Sequence, residues 1–333
     1  MAPFYDARGN IYAVISPEAL RALGVNVPAS AADAALSRLS WAPHAVAAIC
    51  DWPEGQRPAG SKAHRSDGLL VGPFQHAAPF DVLIVNTDAT LAERSGNGLT
   101  IFSQSLTDLN RTPSEGSFTL HVHHDHDDSA SPAPTVVQAA TIEGISGFWL
   151  DIGTPGFGPA AVGANGPGVS DTVLGDTPLN RVERLAGLHP QWQTSAFVRV
   201  GNPHCVTLVS DVAALPDFEQ LHENPLNDAL TRIAFAAGEF GEGDPCPAGI
   251  NLQWAARVAP TRIMARVFER GEGPTASSGT SASAVASAAW LSGWVQAGLV
   301  DVVMPGGTAP VRLIEQEGRL QQVQLFGTAH RQR

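Results

Sequence analysis

The hydrophobic and polar positions of this chain alternate in many short runs and fall into helical spacing in only a few. Runs that read as strands lie at 11–15, 69–71, 82–86, 118–123, 136–142, 147–152, 197–200, 205–209, 263–268, 299–303, 311–315 and 321–326. Helical spacing covers 17–23, 31–38, 99–109, 218–224, 225–237 and 282–297. The result is an α+β pattern rich in strands, with one long apolar helix in each half. A polar, Pro-bearing break at 125–134 is the best linker, and the Gly/Pro-rich stretch 153–178 reads as a surface loop.

The two long helices share a way of starting. One follows Glu93-Arg94-Ser95-Gly96-Asn97-Gly98, the other Thr275-Ala276-Ser277-Ser278-Gly279-Thr280-Ser281. Each places a Ser-Gly step after a strand-like run and before a helix. Serine is among the best N-cap residues, which alone accounts for part of this pattern. A helix start also carries unpaired N–H groups and partial positive charge, so two such starts suit a carboxylate. The repetition predicts an internal duplication with a pseudo-twofold site between the halves.

Composition narrows the partners. The 333 residues suffice for two domains, with 44% hydrophobic and 16% charged residues. A net charge of −12 argues against nucleic acid and anionic membrane as partners. No apolar run approaches the roughly 20 residues that span a bilayer. The start of the chain shows no signal-peptide pattern. Cys50, Cys205 and Cys246 are far apart and form no CxxC, which points to reduced thiols and a cytoplasmic setting.

At this level the residues resemble the diaminopimelate epimerase family. The likeness covers most of the chain through ordered motifs. Ala7-Arg8-Gly9-Asn10 is similar to the family's opening Gly-Asn turn. Ser66-Asp67-Gly68-Leu69-Leu70 and Asn86-Thr87-Asp88 follow, then Ser95-Gly96-Asn97-Gly98, where the family has Cys-Gly-Asn-Gly. In the second half come Gly201-Asn202-Pro203-His204-Cys205, Gly249-Ile250-Asn251, and Phe268-Glu269-Arg270-Gly271-Glu272-Gly273 leading into Ser277-Ser278-Gly279-Thr280. The family has E-R-G-x-G-E-T-x-A-C-G-T/S-G there. Pro274 stands for its Glu, Ser281 for a Gly, and Leu99-Thr100 for the usual residue-Arg-Cys continuation.

The resemblance implies two pseudo-symmetric α+β domains, each a curved sheet around a central helix, with the active site in the interdomain cleft. The expected domains are 1–135 with 311–333, and 136–310. It implies a cofactor-independent epimerase or racemase acting at the α-carbon of a small amino acid or related carboxylate, with a diaminopimelate-like substrate favoured. No cofactor and no metal are called for. A small-molecule substrate is the expected partner, and oligomeric state stays open, a homodimer included. The residues carried over are Ser95 and Ser278 at the proton-transfer positions, with Gly96, Asn97, Gly279 and Thr280 on the carboxylate. The substrate grip maps to Asn10, Asn86, Asn202, His204, Asn251, Glu269 and Arg270.

These residue types suit that chemistry. Inversion without a cofactor needs one group to take a proton and another to give one. Charge building on the carboxylate must be stabilised. Arg270 can take a carboxylate as a fork, Glu269 an ammonium, and the Asn amides can bridge both. The two serines are the difficulty. A thiol has a pKa of about 8.5 and a helix start lowers it. A hydroxyl is far less acidic, and a helix dipole is worth only about 0.3–2 kcal/mol. Each serine therefore needs a neighbour to take its proton, and His204 and Glu93 are the candidates. Three readings stay open: serines replacing cysteines in a disabled enzyme, a natural one-base isomerase, tautomerase or dehydratase, or an amino-acid binder without turnover.

Single residues have plainer readings too. Asn is favoured at turns, His204 after Asn-Pro can be a turn histidine, and Glu269-Arg270 can be a strand-end ion pair. The tract His121-Val122-His123-His124-Asp125-His126-Asp127-Asp128 has metal-ligating residue types, yet it leaves a strand for a polar loop, where an exposed edge is the simpler expectation. Cys205, next to His204 on a strand, points to the opposite face and reads as a core thiol.

Overall fold

The computed structural model describes residues 2–113, 116–125 and 130–332. The chain divides into two compact units, Met1–Asp151 with Gly327–Arg333, and Ile152–Phe326. Both contain the same order of strand pairings.

In the first unit, β1 (Phe4–Ala7) and β2 (Asn10–Ile15) form a hairpin in which Ala7 faces Asn10. Its two turn residues, Arg8 and Gly9, have φ of 56° and 82°. That left-handed pair matches the strand twist, and it fixes Asn10 as the first residue of β2. Strand β2 runs parallel to β3 (Gly68–Val71), and β3 antiparallel to β4 (Phe80–Asn86). After a helix, Gly96–Asp108, the chain returns as β5 (Ser117–Val122), parallel to β4. Strands β6 (Ala133–Ile142) and β7 (Ile145–Gly153) continue antiparallel.

The second unit repeats this. β8 (Ser195–Val200) turns at Gly201 into β9 (Asn202–Val209), which is parallel to β10 (Asn251–Ala259). β11 (Arg262–Glu269) is antiparallel to β10. After the helix Gly279–Leu291, β12 (Gly298–Met304) lies parallel to β11, and β13 (Gly307–Gln316) and β14 (Arg319–Gly327) follow antiparallel.

The Gly279–Leu291 helix packs against β8 through β13, so no side of it faces water across most of its length. A helix surrounded in this way must be small and apolar all round. Its first eleven residues, all buried, are Gly, Thr, Ser, Ala and one Val. The hydroxyls of Ser283 and Ser287 are satisfied by carbonyls one turn back, those of Gly279 and Ser283. Thr100 and Ser103 do the same in the Gly96–Asp108 helix.

Each unit has a second hydrophobic layer. In the first, helices Pro17–Ala22, Ala31–Leu36 and Arg38–Ile49 bring Leu20, Trp41 and Ile49 onto Leu69 and Val85. In the second, the helix Leu226–Ala234 brings Leu230 and Ile233 to Trp254 and Phe268. Among the described residues no helix is long and apolar enough to cross a membrane.

The division differs from the boundaries at 135/136 and 310/311. Residues 133–142 pair with β5 from Val122↔Ala133 to Ser117↔Gln138, which keeps them in the first unit. Residues 307–316 pair with β12 from Met304↔Gly307 to Gly298↔Leu313, which keeps them in the second. The stretch 153–178 is not all loop: Val169–Leu174 and Thr177–Val182 form a hairpin across Gly175-Asp176. Of 218–224, only the 3-10 turn Gln220–His222 is helical. The break at 125–134 ends in β6, and residues 126–129 lie outside the described residues.

Candidate active site

The duplication aligns positions within the two units. Asn10 and Asn202 begin β2 and β9; two residues on, Tyr12 and His204 face Gly68 and Asn251 on the parallel neighbour. The next strand ends at Asn86 in one unit and at Glu269 in the other. Nine positions later in both come Ser95 and Ser278.

The two serines adopt one conformation. Ser95 has φ −140° and ψ 117°, Ser278 φ −141° and ψ 123°, and each caps a helix of 13 residues. Ser95 Oγ accepts from the Gly98 N–H at 3.1 Å, and Ser278 Oγ from the Ser281 N–H at 3.3 Å. Among the described residues, the N–H groups of Gly96, Asn97, Gly279 and Thr280 at the two helix starts have no protein partner. Both helix starts therefore present paired N–H donors to an anion.

They differ in what stands behind the hydroxyl. Ser278 donates to Glu269 Oε1 at 2.6 Å, and Thr275 Oγ1 donates to Glu269 Oε2 at 3.3 Å. Burial, with Glu272 beside it, raises the Glu269 carboxyl to about 7. The two hydroxyl hydrogen bonds act in the opposite direction and are outweighed. In the first unit the equivalent position is Asn86, whose amide donates to Thr90 Oγ1 at 2.9 Å. Among the described residues, neither a carboxylate nor an imidazole hydrogen-bonds Ser95, Glu93 included.

The remaining second-unit residues gather at the same end of the sheet. Asn251 Oδ1 accepts from the Arg270 backbone N–H at 2.8 Å, and Arg270 Nη1 donates to the Ala248 carbonyl at 2.9 Å. Asn202 Nδ2 donates to Thr280 Oγ1 at 3.4 Å. Arg270 thus directly follows Glu269 and is held by the Asn251 amide and the Ala248 carbonyl. In the first unit Asn10 opens β2, with Oδ1 buried and, among the described residues, without a hydrogen-bond partner. Asn97 is buried in the first turn of its helix.

His204 does not partner Ser278. It is fully buried, and its Nδ1 lies 3.0 Å from Gln253 Nε2. Burial pushes its pKa down to about 3, so the ring is neutral at physiological pH. The group behind Ser278 is Glu269 instead, which the sequence had pointed to only as a grip for an ammonium. Gln253 itself carried no sequence signal, because it lies in β10, a strand absent from the hydrophobic pattern.

Cys205 is a buried thiol pushed up to about 12 by burial. His121 Nδ1 and His123 Nε2 lie 3.4 and 3.2 Å from Asp81 Oδ1, the residue facing His121 across β4 and β5. His126 lies outside the described residues. Among the described residues no three or more His, Cys, Asp or Glu side chains are grouped to hold a metal ion.

Comparison with known proteins gives a consistent picture. Residues 196–330 match the family model for diaminopimelate epimerase. A diaminopimelate epimerase of Synechococcus sp. (strain JA-2-3B'a(2-13)) is 28% identical over 250 residues, 74% of this chain and 75% of that protein. Diaminopimelate epimerase 2 of Nostoc sp. (strain PCC 7120 / SAG 25.82 / UTEX 2576) is 27% identical over 311 residues, 93% of this chain and 87% of that protein. Among solved structures, a methylitaconate-delta-isomerase has the same fold, with a TM-score of 0.59 at 15% identity, covering 100% of this chain and 93% of that one. The chain is thus similar to diaminopimelate epimerases, through the family model in its second half and through relatives at 27–28% identity along most of its length.

Proposed function

We propose that this relative of the diaminopimelate epimerases is an isomerase that moves a proton at the carbon next to a carboxylate, on a small amino acid or related acid. The observation that carries the reading is the 2.6 Å hydrogen bond from Ser278 to Glu269. A lone serine is too weak a base for this work. A serine whose proton passes to a carboxylate as it takes one from carbon is a competent relay. The Gly279 and Thr280 N–H groups then stabilise the charge that builds on the substrate carboxylate. Glu269 is suited to receive the proton because burial and Glu272 have raised its affinity for one.

The favoured substrate carries a second charged end, as a diamino diacid does. Arg270 supports this: its backbone is held by Asn251 and its guanidinium by Ala248, which presets a cation for a distal carboxylate. The names of the curated relatives point the same way.

A second reading has its own observation. Among the described residues, no carboxylate or imidazole is hydrogen-bonded to Ser95 to take or supply a proton. An enzyme with one equipped serine suits a one-base isomerisation, in which the same group removes the proton and returns it.

Candidate acids incubated with the protein in deuterium oxide and followed by NMR test these readings. Exchange at the α-carbon with inversion supports the epimerase. Exchange without inversion supports the one-base isomerase. Carboxylate binding with no exchange for any substrate would sink both.

A further inference from the structure

Behind the Ser278 turn lies a buried polar chain that the proton relay does not use. Gln253, His204 and Ser281 are all fully buried. Gln253 Nε2 lies 3.0 Å from His204 Nδ1 and 3.0 Å from Ser281 Oγ. An amide nitrogen has two hydrogens, so both are committed. The Ser281 N–H in turn is the donor to Ser278 Oγ. The links run from His204 through Gln253 and Ser281 to the Ser278 oxygen and on to Glu269.

Two features show that this chain is more than packing. First, Gln253 Oε1 is buried and, among the described residues, has no hydrogen-bond partner. Such a group costs about 1–3 kcal/mol, so an apolar side chain of the same shape would be the stable choice here. Second, the hydroxyl that Gln253 grips comes from Ser281, where the related family motif has glycine. This chain has added the partner that the amide needs.

We infer that Gln253 is a positioning residue: it holds His204 with its proton on Nε2, and through Ser281 it fixes the turn whose N–H supports Ser278. The role rests on the proposed proton relay at Ser278. An imidazole whose Nδ1 accepts must carry its proton on the other nitrogen. A Ser281 held from below keeps its N–H on Ser278 Oγ, and leaves the Ser278 hydroxyl aimed at Glu269.

The test has two arms on the full chain. In 15N-histidine NMR, with the His204 signal assigned by its loss in His204→Asn, the wild type shows a bare Nδ1 and a protonated Nε2. In Gln253→Glu, whose carboxylate only accepts, the proton moves to Nδ1. A wild-type ring protonated on Nδ1 overturns the assignment. In the kinetic arm, Gln253→Met keeps the shape without the hydrogen bonds and Ser281→Ala removes the hydroxyl. Each lowers kcat for proton exchange about tenfold with KM within about twofold, and the double variant is no slower than either single by more than about twofold. Losses that multiply, or that appear in KM, contradict the positioning role. If the wild type exchanges no proton on any carboxylate, the isomerase reading fails and the NMR arm still decides what Gln253 does.

Discussion

Ser278 donates its hydroxyl proton toward Glu269, whereas Ser95, in the same backbone conformation on a helix of the same length, has among the described residues only an amide N–H for a partner. The duplicated architecture has therefore been equipped unequally. The cause is one side chain at one register position: the strand ends on a glutamate in the second unit and on an asparagine in the first. An asparagine amide cannot take a serine proton, and a carboxylate can.

Replacing Glu269 by Gln keeps the size of the side chain and a hydrogen bond to Ser278, but removes the proton acceptor. Proton exchange should fall by about 10²–10⁴-fold, the usual contribution of a general base. Circular dichroism and the urea midpoint should show that the variant remains folded. Exchange within a few-fold of wild type would remove Glu269 from the relay.

The pH dependence follows from two opposite shifts. As a base Glu269 must be ionised, so exchange should rise with pH through about 7. Stability has its own signs. The Glu269 carboxyl is raised from 4.5 to about 7, so its contribution is fully present below 4.5 and is lost as pH rises through about 7. His204 is lowered from 6.5 to about 3, so its contribution is present above 6.5 and is lost as pH falls toward 3. The two oppose each other between 4.5 and 6.5. Across that window His204→Asn should become more stable as the pH falls, and Glu269→Gln less stable, in urea unfolding at a series of pH values.

Gly249 joins the fold to the site. Its φ is +76°, and a Cβ there would lie 2.6 Å from the Ala234 carbonyl oxygen and 2.7 Å from Arg270 Cδ. Gly249→Ala should cost about 1–3 kcal/mol in urea unfolding, the range for strain at such a backbone position. It should also weaken binding of a substrate with a distal carboxylate, because the displaced group is the stem of Arg270. An unchanged midpoint would mean that the loop before β10 yields.

Cysteine at both cap positions tests what the helix starts can support. A thiol at a helix N-terminus ionises more readily than its ordinary pKa of about 8.5 suggests, and needs no carboxylate behind it. The double variant Ser95→Cys, Ser278→Cys should gain exchange with inversion of configuration, seen by chiral chromatography after incubation in deuterium oxide. If it does not, the first-unit position is unsuited to proton transfer whatever residue it carries.

Much of this arrangement was legible in the sequence, and the omissions have physical causes. The cap serines stood out because helix starts use few residue types, whereas Glu269-Arg270 and Asn251 were reached only through the ordered motifs of the family resemblance. Strands β2, β4, β9 and β11 followed from apolar runs. β10 did not: its first six residues are all buried, so they do not alternate, and Ala255-Ala256 has little β preference. Gln253 went unseen with its strand. The helix Arg38–Ile49 was hidden by Pro43 in its interior, which reads as a stop. The hairpin 169–182 was hidden by the glycines and prolines around it. The partner of Ser278 was misjudged because His204 looks like a base on paper, while burial in the β9–β10 core keeps it neutral and places it against Gln253.

The most direct test of the account compares two single variants, Ser278→Ala and Ser95→Ala, for α-proton exchange in deuterium oxide on a substrate that the wild type turns over. The account predicts that Ser278→Ala loses exchange by at least about 100-fold, while Ser95→Ala still exchanges the proton and retains the configuration of the carbon. Equal losses in both variants, or a greater loss in Ser95→Ala, would contradict the claim that proton removal belongs to Ser278 and Glu269.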